Sequence, residues 1–148
     1  MRVATDPGVR LSFSSDRTYL SAVRELVREL LVSAAGGAPF SERDLCEILL
    51  AVQEACVNAI RHGNAGDATK SVDLGIAITP ERVTFRVTDE GPGFDPTVVA
   101  PAPDVMREDP GEGGYGLAIL QRTMNDLRVD VDEAGATLSF WRPRGDRR

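Results

Sequence analysis

Three residues spaced by four, Glu54, Asn58 and His62, open the chemical reading of this chain. On a helix that spacing stacks them in one row, each about one turn above the last. A carboxylate above a carboxamide can hold a hydrated divalent ion: Asn58 offers a neutral carbonyl oxygen to Mg²⁺, and Glu54 can orient or deprotonate a nucleophile. The same residues also fit the wet side of an amphipathic helix. A second group is Asp89-Glu90-Gly91-Pro92-Gly93-Phe94. A carboxylate fixed at a strand end can accept from an exocyclic amine such as that of adenine, and the glycines let a planar ligand approach the main chain. A plain Asp-Gly turn is the competing reading. The third group, Gly111-Glu112-Gly113-Gly114-Tyr115-Gly116, sets backbone N–H groups ahead of a helix start, a favourable place for phosphate. Gly111, Gly113 and Gly116 also match the dinucleotide fingerprint, with Glu133 near the place of a ribose-binding acid. Asp104 to Pro110 do not form the strand that fingerprint requires, and too little chain follows for a doubly wound sheet.

The elements that must carry these groups follow from periodicity. Val9, Leu11 and Phe13 alternate with polar residues and predict a half-buried strand; Met1 to Gly8 have no period and read as a loose lead-in. Leu20, Val23, Val27, Leu30 and Leu31 form one helical stripe, closed by Gly36-Gly37 and Pro39. Ser41 with Glu42 and Asp44 starts a second helix, whose apolar arc is Leu45, Ile48, Leu49, Val52, Cys56 and Ala59, and Gly63 ends it. Val72 to Ile78 and Val83 to Val87 alternate on either side of Thr79-Pro80-Glu81-Arg82, an antiparallel hairpin that delivers Asp89. From Asp95 to Glu112 the chain is acidic, proline-rich and aperiodic, with Arg107 as its lone base; it reads as a lid or an insertion. A third helix carries Leu117, Ile119, Leu120, Met124 and Leu127. Strands at Val129 to Val131 and Ala136 to Trp141 follow, then a solvated basic tail, residues 142–148.

At 148 residues with 42% hydrophobic and 27% charged, the chain is expected to form one domain with a real core. A net charge of −6 argues against direct nucleic-acid binding. Cys46 and Cys56 lie about 15 Å apart along one helix, too far for a disulfide, and both read as small buried residues of a reducing compartment. No apolar run approaches a membrane span, so a cytoplasmic, non-membrane protein is expected.

In their order, the three groups resemble the Bergerat-type ATP-binding fold shared by gyrase, histidine kinases, the MutL repair proteins and the heat-shock chaperone. The Glu54-to-Asn58 pair resembles its N box, Asp89 to Gly93 its first glycine box, and Gly113-Gly114-Tyr115-Gly116-Leu117 its second. Asn58 to His62 is most similar to the N box of bacterial anti-sigma-factor serine/threonine kinases, and the resemblance runs from Val9 to Trp141. It implies an α/β (α+β) two-layer sandwich, a mixed and mostly antiparallel sheet of about five strands with three helices on one face. It implies ATP and Mg²⁺ as cofactors, Glu54 as the base and Asn58 as metal ligand. Asp89 would hold the adenine amine with Gly91, Gly93 and Thr137 close by. His62 and Gly113, Gly114, Tyr115, Gly116 and Leu117 would touch the nucleotide, with residues 95–112 as lid. The implied partners are an anti-anti-sigma protein as serine substrate, a sigma factor, and a second copy in a homodimer. One departure stands out: Gly111-Glu112 occupies the place where some relatives carry an Arg that stabilises the transferred phosphoryl. A nucleotide-gated binding module without transfer activity, or a histidine-kinase-like fragment, are the alternatives.

Overall fold

The computed structural model describes residues 1–4, 8–34, 36–97 and 115–145. Their elements run β1 (Arg2–Ala4), β2 (Val9–Ser14), α1 (Leu20–Ser33), α2 (Glu42–Asn58), β3 (Ser71–Ile78), β4 (Arg82–Asp89), α3 (Tyr115–Thr123), β5 (Asn125–Val131) and β6 (Ala136–Pro143). The sheet order is β1-β2-β3-β4-β6-β5, and every neighbouring pair is antiparallel. This is the expected two-layer α+β architecture, with six strands instead of about five and no parallel pair among the described residues. The added strand is β1, from the supposed lead-in: three residues are too few to display a period, and pairing with Arg10 to Ser12 is what defines it. An antiparallel sheet also excludes the doubly wound dinucleotide fold.

Alternation along each strand gives the sheet one apolar face. Leu11 stands opposite Leu74, Leu74 opposite Val87, Val87 opposite Leu138, and Leu138 opposite Val129, a single row across five strands. Phe85 and Phe140 pair in the next row with ring centroids 5.6 Å apart. The helices close over this face, with α2 packed between α1 and α3. Val23, Val27 and Leu31 are the buried stripe of α1, and α2 buries Leu45, Ile48, Leu49, Val52 and Cys56 along the predicted arc. At its start Ser41 Oγ accepts from Asp44 N–H at 3.0 Å while the Asp44 carboxylate accepts from Ser41 N–H, a capping box that fixes where the helix begins.

Three expectations need correction. The third helix stops at Thr123, and Leu127 belongs to β5, because an apolar residue three beyond Met124 suits a strand as well as a helix. The basic tail is not merely solvated. Arg142 lies on the inner face opposite Val83 and bonds Glu47 at 2.7 Å and Asp44 at 2.6 Å on the first turns of α2. Buried Arg144 donates to the carbonyls of Ala34, Ala38 and Thr79, tying the end of α1 to the β3–β4 turn. Cys56 is buried, and burial pushes its thiol up to about 12, but Cys46 is exposed because it points away from the arc. Among the described residues no helix is long and apolar enough to cross a membrane.

Candidate functional site

The direction of α2 sets up the site. Its first turns are pinned by Arg142 at one end of the sheet, and its last turns reach the opposite end, where β4 finishes. Alternation through Phe85 and Val87 carries Asp89 to the same inner side. After Asn58 the helix widens into a π-helical turn, Ala59–Gly63, of the kind frequent at functional sites. That turn brings Gly63 against Asp89: a β-carbon there would lie 2.2 Å from the carboxyl group. Gly91 closes on the Gly63 backbone in the same way. Buried Asn64 bridges the two segments, its amide donating to Ser71 C=O at 2.9 Å and accepting from Glu90 N–H at 2.7 Å.

Between these elements lies a cavity of about 340 Å³, with Asn58, His62 and Gly63 on one side and Asp89, Pro92, Gly93 and Phe94 on the other. Ala55, Ala59, Val87, Leu117 and Leu138 supply an apolar lining. Asp89 Oδ1 accepts from Gly91 N–H at 2.7 Å, which orients the carboxylate. Burial raises its pKa above the ordinary value, against the opposing pull of that hydrogen bond and of the Lys70 charge. Gly93 has φ +77, and a β-carbon on it would be 2.7 Å from Val131, so the chain turns there in the space only a glycine leaves.

At the other end of the cavity Gly116, on the first turn of α3, sits over the Glu54–Asn58 row. A β-carbon on Gly116 would be 3.1 Å from Glu54 Oε2 and 3.3 Å from Asn58 Nδ2. The second glycine stretch therefore meets the carboxylate and carboxamide at its described end. Glu54 is half-buried, and burial raises its carboxyl pKa, partly offset by the charge of Arg17. A carboxylate with a raised pKa is a better proton acceptor than an exposed one.

Of the expected site residues, the fold brings Asn58, His62, Asp89, Gly93 and Leu117 to one cavity, with Glu54, Gly91 and Gly116 at its margins. His62 lies at the lip and is exposed. Thr137 is a correction: Ala136 and Leu138 face inward, so the period of two turns Thr137 to the outer face, where its hydroxyl bonds that of Thr88 at 2.9 Å. Gly113, Gly114, the side chain of Tyr115, and the lid beyond Thr97, including Arg107, lie outside the described residues. Of the segment expected to act as a lid, residues 95–97 are described, with Pro96 C=O accepting from Gln121 of α3 at 3.4 Å. Gly63 and Phe94 line the cavity although the sequence assigned them no binding role, Phe94 appearing only as the end of the second glycine-bearing group. Gly63 was legible only as a helix-ending turn residue, although its adjacency to the His62 row was a usable signal.

The donor set suits the nucleotide and metal that the motifs imply. Asp89 presents an oriented acceptor in a slot that Ala55, Ala59, Val87, Leu117 and Leu138 line with apolar groups, as an amino-purine edge requires. No cluster of three or more His, Cys, Asp or Glu side chains capable of holding a metal exists among the described residues. One carboxamide ligand fits Mg²⁺, which keeps several waters and is commonly completed by substrate phosphates.

Comparison with known proteins converges on the same assignment. The family model described as a histidine kinase-like ATPase domain matches residues 13–141. Serine-protein kinase RsbW of Bacillus licheniformis is 30% identical over 120 residues, 78% of this chain and 74% of that protein. Serine-protein kinase RsbW of Bacillus subtilis (strain 168) is 27% identical over the same shares of each chain. A crystal structure of the RsbU and RsbW domains of a Mycobacterium tuberculosis protein superposes with a TM-score of 0.57 at 20% identity. It covers 91% of this chain, which spans about a third (33%) of that longer one, and at that identity the likeness speaks for the fold. The chain belongs to the histidine kinase-like ATPase family and, within it, to the anti-sigma-factor kinase family of the RsbW serine-protein kinases.

Proposed function

We propose that this protein binds ATP with Mg²⁺ and transfers the γ-phosphoryl group to a serine of an anti-anti-sigma protein, and that it also sequesters a sigma factor in the cytoplasm. The observation that carries the reading is the approach of Gly116 to Glu54 and Asn58 at one end of a cavity whose other end is Asp89. The span orders the site chemically. Asp89 accepts from the adenine amine, Gly91 and Gly93 leave room for the ring, and Leu117 and Leu138 flank it. Asn58 would hold a Mg²⁺ ion that screens the phosphates, and the amides of the second glycine stretch, of which Gly113 and Gly114 lie outside the described residues, would receive them. Glu54 takes the proton of the attacking serine hydroxyl as the O–P bond forms and the β–γ bridging bond breaks, ADP being the leaving group.

A nucleotide-gated binding module is the second reading, favoured by one feature: Gly111-Glu112 supplies no cation beside the transferred group. A histidine-kinase-like fragment fits less well, since the sole histidine, His62, is on the π-helical turn at the cavity lip. Incubation with γ-labelled ATP, Mg²⁺ and the protein encoded beside this one separates these readings. Label on serine is the expected result; saturable ATP binding with no transferred label overturns the kinase reading in favour of the module.

A further inference from the structure

The ladder between β3 and β4 ends one step before the site: its last pair is Asp73 with Thr88. The same count would set Ser71 opposite Glu90, but there the two strands part. Ser71 stays with Ser14 of β2, and Asp89 stays with Ala136 of β6. The carboxamide of Asn64 stands in the gap. Its Nδ2 donates to Ser71 C=O at 2.9 Å, and its Oδ1 accepts from Glu90 N–H at 2.7 Å. A backbone C=O only accepts and a backbone N–H only donates, so the two partners fix which way the amide faces. Glu90 closes the circle, its carboxylate accepting from Ser71 N–H at 2.7 Å. Three bonds hold three residues where the sheet itself has let go.

Asn64 is fully buried, and its own backbone is anchored. Its N–H donates to Ala59 C=O at 2.8 Å across the π-helical turn, and its C=O accepts from Asp67 N–H at 3.0 Å. It lies outside the lining of the nucleotide cavity and so reaches a ligand only through another group. That group is Asp89. Glu90 N–H belongs to the peptide that Asp89 C=O begins, so the bond to Asn64 sets the tilt of that plane. On the opposite side the Asp89 carbonyl leaves no room for a β-carbon on Gly135. The Asp89 carboxylate, held on this clamped peptide, then receives Gly91 N–H at 2.7 Å. Without the carboxamide, Ser71 C=O and Glu90 N–H would both need new partners, and each is the other's nearest ladder position. Closing that extra pair would draw the end of β4 away from Gly63 and carry Asp89 with it.

We infer that Asn64, closed by Glu90 into a clasp on Ser71, is the positioning residue that sets the base selectivity of the cavity. The inference rests on the reading of Asp89 as the adenine acceptor and adds the device that aims it. The clasp serves one end of the site only. Glu54 and Asn58 are carried by α2, ahead of the widened turn, and their placement does not pass through Asn64. Opening the clasp therefore acts on recognition of the base and spares the hold on the phosphates.

The test measures affinities for ATP and for GTP on the full chain with Mg²⁺, by displacement of a fluorescent ATP analogue. Asn64→Ala should lower ATP affinity at least about tenfold and leave GTP within about threefold, so that the preference for ATP collapses. A variant that had only lost folded protein would weaken both nucleotides by one common factor. Glu90 is exposed, so Glu90→Ala opens the clasp without touching the core. It should reduce the ATP preference by about two- to threefold, and Glu90→Gln, which keeps an acceptor for Ser71 N–H, should restore it. Equal losses for the two nucleotides in Asn64→Ala, or an ATP preference that survives in it, overturn the inference. Should that variant not fold, an unchanged preference in Glu90→Ala overturns it instead. A wild-type chain that binds ATP and GTP alike would overturn the adenine reading of Asp89 itself, and this inference with it.

Discussion

Gly63 and Asp89 meet with no room for a methyl group: a β-carbon on Gly63 would stand 2.2 Å from the Asp89 carboxyl. The carboxylate is thus braced from behind by bare backbone and held in front by Gly91 N–H. Gly63→Ala must displace one of them, and overpacking of this kind costs about 1–3 kcal/mol. ATP affinity should fall at least about tenfold by calorimetry, with the far-ultraviolet circular dichroism unchanged. Undiminished affinity would mean that Asp89 is not the adenine ligand.

The same carboxylate makes a prediction about base selectivity. Guanine would present a carbonyl oxygen where adenine presents an amine, and two facing acceptors lose roughly 1–3 kcal/mol. ATP should outcompete GTP by at least about tenfold in a displacement assay, and Asp89→Asn should weaken that preference. Equal competition would take Asp89 out of the base pocket.

Glu54→Gln should abolish phosphoryl transfer while leaving ATP affinity within about threefold, whereas Asn58→Ala should weaken Mg²⁺-dependent binding as well. Stability supplies an independent check. Burial raises the Glu54 pKa, so its contribution to stability is fully present below the unfolded-state pKa and is lost as pH rises through the folded one. Glu54→Gln should therefore raise Tm at pH 8 relative to wild type, and the gain should disappear at pH 4. A variant less stable at both pH values would show that the carboxylate is structural.

Arg142 offers the opposite sign. For Asp44, burial pushes upward, but the bonds from Arg142 and Ser41 prevail and lower its pKa; for Glu47 the Arg142 bond leads and lowers it too. Both contributions are present above the unfolded-state carboxylate range and are lost as pH falls through the folded values. Arg142→Met should cost roughly 2–4 kcal/mol at pH 7 by urea titration. The difference from wild type should narrow below pH 4. A constant difference across that range would assign the loss to packing alone.

What the sequence made legible were the short-range relations. Glu54 and Asn58 could be placed because four residues make one turn, and Asp89 because Val83, Phe85 and Val87 count down to it by twos. Thr137 was set beside the adenine by the resemblance alone, and the register of β6 turns it outward between Ala136 and Leu138. Arg142 and Arg144 were misjudged for a different reason. Their partners, Asp44, Glu47, Ala34, Ala38 and Thr79, stand 65 to 110 positions earlier, and no local pattern encodes such pairs. The π-helical turn was equally invisible, since one added residue in a helical loop leaves the apolar arc intact up to Ala59.

The placement of β6 between β4 and β5 also bears on how the chain is made. During synthesis β1 to β4 and the first two helices leave the ribosome before the strand that completes them. Until Ala136 to Pro143 emerge, the full length of β4 is a bare edge, with Val83, Phe85 and Val87 uncovered on one flank. The wall that Leu138 gives the nucleotide cavity arrives at the same late moment. Nascent chains stalled between β4 and β6 should be the species that chaperones hold, and nucleotide can stabilise the protein only after that last pairing has closed.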